Sequence, residues 1–144
     1  MVMTLEADYA VRIVDALAQA QGKMDAKTIS ASTQVPLRFA LKILRKLVAD
    51  GIAESFKGAH GGYRLARAPE SITLRQVIES VEGPYMLNRC QQDEYRCAHT
   101  TCCRFQEIYD EISETVREKL DSYTFAGPAK KTAPGSGKGT ARTQ

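Results

Sequence analysis

All four cysteines of the chain fall in one stretch: Cys90, Cys97, Cys102 and Cys103, followed at once by Arg104, Phe105 and Gln106. Thiolates are soft ligands, and several of them close together suit Zn²⁺ or an iron–sulfur cluster. Zinc sites usually draw on close Cys pairs, whereas six residues separate Cys90 from Cys97 here. Neighbouring side chains such as Cys102 and Cys103 do not easily bind one small site together. The simpler ligand count is Cys90, Cys97 and one of that pair, with a fourth ligand from elsewhere. His99 lies inside the stretch, but a single loop histidine is more often solvated. Catalysis is a poor fit, since the chain has two histidines and no nucleophile, base and orienting group in sequence reach. Four inert core cysteines are a further possibility, countered by the polar company of Gln91, Gln92, Asp93, Glu94 and Arg96.

A second chemistry is written in the charges. Residues 36–67 carry seven basic side chains (Arg38, Lys42, Arg45, Lys46, Lys57, Arg64 and Arg67) against Asp50 and Glu54. Residues 88–126 carry an acidic excess, and the stretch from Gly127 holds four basic residues and none acidic. Net charge is only +3, so the positive charge is concentrated rather than general. A short basic block points to phosphates, and its position in the chain decides what kind.

The elements that must position these residues follow from periodicity. Thr4 to Ala20 is predicted helical, with Thr4 as cap and Tyr9, Ile13, Ala16, Leu17 and Ala20 on one face. Asp25 to Thr33 is a short capped helix. After the turn Gln34-Val35, Pro36 suits the first position of a third helix. That helix runs to Asp50-Gly51 with Leu37, Ala40, Leu41, Leu44, Leu47 and Val48 as its apolar stripe. Arg38, Lys42, Arg45 and Lys46 fall off the stripe. A short helix, a tight turn and a basic helix make a helix-turn-helix. Ile52–Ser55 and Tyr63–Leu65 are predicted strands around the glycine-rich turn Lys57-Gly58-Ala59-His60-Gly61-Gly62, forming a β-hairpin wing. Thr73 to Glu82 is a capped helix stopped by Gly83-Pro84. Arg104 to Tyr123 is a long helix with Phe105, Ile108, Tyr109, Ile112, Val116, Leu120 and Tyr123 at helical steps, suited to a partner helix of a second subunit.

The fold class predicted is mainly α with a small β-wing. Residues 1–83 would form a winged helix-turn-helix domain, 84–103 a cysteine-rich cluster-binding loop and 104–126 a dimerisation helix. Residues 127–144 read as a disordered basic tail. Glu6, Asp8, Arg12 and Asp15 break any apolar leader at the start, and no stretch reaches the roughly 18 apolar residues of a membrane span. A cytoplasmic protein is expected, in which clustered thiols stay reduced. Within the basic block, Arg38 and Lys42 lie one turn apart on the face that would enter a major groove, contacting bases or phosphates. Lys57, His60 and Arg64 surround glycines that allow close approach to a phosphate backbone or minor groove.

Several motifs together resemble the Rrf2 family, bacterial winged-helix regulators of the IscR and NsrR type. They are Thr4-x3-Asp8-Tyr9-Ala10-x-Arg12, Val35-Pro36-Leu37-x-Phe39, the wing Lys57-Gly58-Ala59-x-Gly61-Gly62-Tyr63-Arg64-Leu65-Ala66-Arg67, and three spaced cysteines before a long helix. The resemblance covers about residues 1 to 125, and the wing is its most specific part. It implies a homodimer crossed through the long helices and bound to a palindromic double-stranded operator. Each subunit would hold an iron–sulfur cluster, 2Fe–2S or 4Fe–4S, that senses iron, redox state or nitric oxide. The DNA contacts it implies are Arg38, Phe39 and Lys42 in the third helix, with Lys57, His60, Gly61, Gly62, Tyr63 and Arg64 in the wing.

For the cluster the resemblance implies Cys90, Cys97 and Cys103. Cys103 is preferred over Cys102 by its distance from the apolar pair Ile108-Tyr109. The six-residue gap on one side of Cys97 and five-residue gap on the other depart from the family's even spacing. IscR-like members carry a His ligand where this chain has Gln106, which argues against that ligand set. NsrR-like members use an Asp of the partner subunit at the position of Asp8, ahead of Glu6 and His99. A carboxylate binds iron less firmly than thiolate, making that corner the labile one. IscR-like members also have an acidic residue at the place of Leu41, so their operator does not carry over. The expected function is a transcription repressor, not an enzyme, controlled by its cluster. The alternatives are a cluster-free thiol/disulfide switch and an iron–sulfur or adaptor protein that does not read DNA.

Overall fold

The computed structural model of the chain describes residues 2–91 and 103–126. Helix α1 spans Leu5–Gln19, α2 Ala26–Thr33 and α3 Leu37–Ala49. Strands β1 (Ala53–Phe56) and β2 (Gly62–Leu65) pair antiparallel, and α4 (Leu74–Glu82) and α5 (Arg104–Asp121) follow. The mainly helical architecture with a small wing is the one predicted. Cys97, His99, Cys102 and the basic stretch 127–144 lie outside the described residues.

Three helices start where the sequence places a cap. The Thr4 hydroxyl accepts from the Ala7 N–H at 3.2 Å, and the Asp25 carboxylate accepts from Thr28 N–H at 2.7 Å. Thr73 and Gln76 form a reciprocal capping box. Helix α3 differs by one residue from the expectation. Pro36 is its N-cap, with ψ 137, and Leu37 is its first helical residue. The turn before it uses Gln34 in the left-handed region (φ 57), and the Ser30 hydroxyl donates to Val35 O at 2.6 Å to hold it.

The core lies where α1 packs on α2, α3, α4 and β2. Ala7, Ala10, Ile13 and Val14 of α1 and Ala40, Ile43, Leu44 and Leu47 of α3 are all fully buried. Each large aliphatic side chain there contributes about 1.5–3 kcal/mol of burial. The α3 stripe is therefore rotated from the predicted one: Ile43 is inside, while Leu37 and Leu41 are 38% and 37% exposed.

The chain after α5 turns back rather than running on. The Leu74 N–H donates to Tyr123 O at 2.9 Å, and Phe125 N–H donates to Pro69 O and Ile72 O at 3.2 and 3.3 Å. The Phe125 side chain is buried. Arg75 holds Asp121 at 2.7 Å, and Thr73 Oγ1 donates to the same carboxylate at 3.1 Å. Helix α5 ends at Asp121 because this return needs Ser122 to Phe125 for itself.

The wing is hooked to the α1–α2 linker. Met24 and Tyr63 exchange backbone hydrogen bonds of 2.9 and 2.8 Å. Gly62 sits at φ 150, and a Cβ there would lie 2.8 Å from Met24 O. Gly62→Ala is expected to destabilise the protein by about 2 kcal/mol, seen as a lower urea midpoint at unchanged slope.

The Asp121 carboxyl is held below its ordinary value of 3.8, chiefly by the Arg75 hydrogen bond and against the effect of burial. A depressed folded-state pKa gives stability that is complete above the unfolded value and fades as pH falls through the folded one. Asp121→Asn is expected to lower stability at neutral pH. Its gap to wild type should begin to narrow in thermal melts below pH 3.8 and close only as pH falls through the lower folded-state value.

Candidate nucleic-acid face and cysteine loop

Arg38, Lys42 and Arg45 stand exposed on α3. The Arg38 guanidinium lies over the Phe39 ring at 4.8 Å, and that half-buried ring meets Tyr9 of α1 at 6.1 Å. Phe39 thus supports Arg38 from below and joins α3 to α1. Lys42 Nζ is 3.6 Å from Glu6 Oε1. Lys46, expected on the outer basic face, turns inward: its Nζ donates to Glu6 Oε1 at 2.9 Å and to Val81 O at 3.3 Å. It is a tie among α1, α3 and α4. The Glu6 carboxyl sits below its ordinary value, first through this Lys46 bond.

At the wing tip Lys57, Ala59 and His60 are exposed. Arg64 is engaged by its own sheet, pairing with Glu54 across the register at 3.0 Å. The Phe56 ring is covered by Arg64 at 4.8 Å and by Lys23 at 4.1 Å. Gly61 and Gly62 answer to the chain's own backbone, since a Cβ on Gly61 would lie 2.4 Å from Phe56 O. Tyr63 is half-buried against the core. Of the nine side chains and glycines named as DNA contacts, Arg38, Lys42, Lys57, His60 and Arg64 are exposed, Phe39, Gly61 and Tyr63 are partly exposed, and Gly62 is buried. Lys23 joins the wing's cations although nothing local in the sequence marks it.

Cys90 lies in the 3-10 turn Arg89–Gln91, and Cys103 is the N-cap of α5. Both are partly exposed, and neither is in a disulfide. Between them lies the undescribed loop. Asp8 pairs with Arg12 at 2.7 Å, one turn along α1. Among the described residues, no three His, Cys, Asp or Glu side chains come together as a metal-binding group. Within one chain, then, Asp8 does not complete a donor set with Cys90 and Cys103.

The foot of the loop is clamped by Gln91, which sequence reasoning passed over. Its Oε1 accepts from Leu87 N–H at 2.8 Å, Asn88 N–H at 3.2 Å and Ser113 Oγ at 2.8 Å. Its Nε2 donates to Asp110 Oδ1 at 2.8 Å and Tyr109 O at 3.3 Å. Ser113 is fully buried and also accepts from Leu87 N–H at 3.0 Å. A signal existed: Ser113 is the polar member of the row Tyr109, Ser113, Val116 and Leu120. That row is the inner face of α5. Phe105, Ile108 and Ile112 form a second, outer row, 50%, 40% and 42% exposed. The single stripe predicted for α5 is thus two. Gln91→Ala is expected to speed amide exchange at Leu87 and Asn88 roughly tenfold, with α1 exchange unchanged, as measured by NMR.

Comparison with known proteins agrees with this architecture. Residues 3–129 match the family described as "Rrf2: Iron-dependent Transcriptional regulator". The chain is 28% identical over 128 residues to the HTH-type transcriptional regulator NsrR of Bacillus licheniformis, covering 87% of this chain and 90% of that one. It superposes on T. potens IscR with a TM-score of 0.68 at 24% identity, covering 88% and 84% of the two chains. It superposes on CymR, the global cysteine regulator of B. subtilis, with a TM-score of 0.69 at 25% identity, covering 87% and 93%. This chain belongs to the Rrf2 family, and it is a winged-helix transcriptional regulator rather than an enzyme.

Proposed function

We propose that the protein is a homodimeric, cytoplasmic DNA-binding repressor whose operator affinity is set by an iron–sulfur cluster held at the cysteine loop. The observation that carries this is the loop's anchorage. Two thiols outside any disulfide stand at its two feet, and Gln91 fixes one foot to the helix that the other foot caps. Whatever orders or releases the loop acts directly on α5. The donor chemistry fits such a cluster: Cys90, Cys97 and Cys103 would hold it, with Asp8 of a second copy as the fourth ligand. To serve there, Asp8 exchanges its Arg12 partner for iron. The cluster, when bound, supplies a centre sensitive to oxidants and nitric oxide.

The exposed row Phe105, Ile108 and Ile112 supports pairing of α5 with its copy, since three large apolar side chains on one helical face are costly to leave in water. A two-fold dimer presents its two α3 helices in opposite senses, so the operator is palindromic. Arg38, Lys42, Lys57, His60 and Arg64 supply the DNA-facing charge.

The second reading is a cluster-free thiol switch, favoured by the likeness to a cysteine regulator. Anaerobic purification with iron and sulfide analysis separates the two. The cluster reading expects iron, sulfide and visible colour in the purified protein. Cys90→Ala, Cys97→Ala and Cys103→Ala are expected to lose them and Cys102→Ala to keep them. A preparation without iron or sulfide, whose DNA affinity follows reversible thiol oxidation, would establish the switch instead. Arg38→Ala is expected to lower the slope of log affinity against log salt by about one.

A further inference from the structure

The cations of the DNA face are not equally available. Arg38 is stacked on an aromatic ring, while Lys42 has a carboxylate within 3.6 Å. That carboxylate belongs to Glu6, in the first turn of α1. It reaches across to α3, where Lys42 and Lys46 lie one turn apart. The two contacts differ in kind. Lys46 is the closer, at 2.9 Å, and is also bonded to Val81 O, which fixes it in the packed side of α3. Lys42 is the longer contact and the more exposed, with 60% of its side chain accessible.

A helix N-terminus alone would favour an acidic residue at Glu6, but it would not require the carboxylate to point at α3. Lys46 aims it there. Once aimed, its second neighbour is Lys42. One oxygen of the Glu6 carboxylate, Oε1, faces both ammonium groups, 2.9 Å from Lys46 Nζ and 3.6 Å from Lys42 Nζ. A phosphate that binds Lys42 must therefore compete with an anion built into the same face.

We propose that Glu6 is an affinity-setting residue of the DNA interface: it withholds part of the Lys42 charge from the phosphate backbone and thereby weakens sequence-independent binding. This rests on the DNA-binding reading above. An exposed pair of this kind is worth little to stability, so the effect on folding is small. Its effect on DNA is larger in proportion, because the competing carboxylate also repels phosphate directly. The regulator gains selectivity by it, since non-specific affinity falls while contacts to base edges are untouched.

The test uses the full-length protein and a fluorescent mixed-sequence duplex, with anisotropy titrations over a series of salt concentrations. Glu6→Gln keeps an oxygen to accept from Lys46 and removes only the charge. It is expected to bind the duplex roughly 2- to 5-fold more tightly, with a steeper salt dependence. In a Lys42→Ala background the gain from Glu6→Gln is expected to fall to less than half. Glu6→Asp, which keeps the charge but shortens the reach, is expected to give part of the gain and serves alone if Glu6→Gln does not fold. Unchanged or weaker binding by these variants overturns the proposal, as does an equal gain with and without Lys42. A wild-type protein with no salt-dependent binding to any duplex overturns the DNA-binding reading as well, so the two failures are distinct.

Discussion

One helix, α1, carries both the centre of the core and the Glu6 carboxylate that ties it to α3. Ala7, Ala10, Ile13, Val14 and Leu17 put the buried face of α1 against α2, α3 and α4. Between those residues, at the angles a 3.6-residue period leaves over, stand Glu6, Asp8, Tyr9 and Arg12. Glu6 holds α3, Tyr9 meets Phe39 under Arg38, and Asp8 pairs with Arg12. Neither set can move without the other. Asp8 and Arg12 share α1 and both side chains are open to solvent, so their pair opens by side-chain rotation alone, whereas a shift of α1 itself would drag fully buried side chains through a close-packed interior. The constraint favours small, collective displacements of α1 with α3, and it places the cluster's proposed fourth ligand on the same rigid body as the DNA-facing residues.

The wing obeys a similar economy. Its strands are four residues each, too short to be stable alone. They persist because Met24 pairs with Tyr63 along the outer edge and because Lys23 and Arg64 both pack on the Phe56 ring. The glycines at its tip serve the hairpin first: Gly61 and Gly62 are the residues whose missing Cβ atoms let Phe56 O and Met24 O come close. A glycine-rich wing motif therefore reads equally as a DNA-contact motif and as a folding motif, and here the second cause is sufficient.

Much of the fold was legible because its signals are local. Thr4, Asp25 and Thr73 each bond an N–H three residues ahead, a contact that needs no knowledge of the rest of the chain. The wing and the order of helices follow from turn residues and period in the same way. What was not legible depends on partners far off in sequence. Leu37 and Leu41 belong to a plausible stripe, and only the packing of α1 and α4 selects Ile43 instead. Lys46 looks like any outer lysine until Glu6, forty residues earlier, is placed beside it. Ser113 stood out as the polar member of its row, but its partner Gln91, 22 residues away, did not. For the candidate site the sequence located the cysteines and the basic block, whereas the division of that block into available and engaged cations is a property of the folded chain.

Helix α5 is a beam supported unevenly. Its far end is pinned by Phe125 and by the Arg75–Asp121 pair, and its middle by Ser113 and by Arg117 on Tyr85 O at 2.9 Å. Among the described residues, the stretch from Cys103 to Ile108 projects beyond the last support, the Gln91 side chain on Tyr109 O and Asp110 Oδ1. An α-helix of eighteen residues is roughly 27 Å long, stiff over that length. Mechanically this is a cantilever: a load applied at Cys103 bends or swings the overhang while the pinned end stays with the winged helix. That overhang carries Phe105 and Ile108 of the outer row. A disturbance of the cysteine loop would then be spent on whatever lies against that row before any of it reached the core.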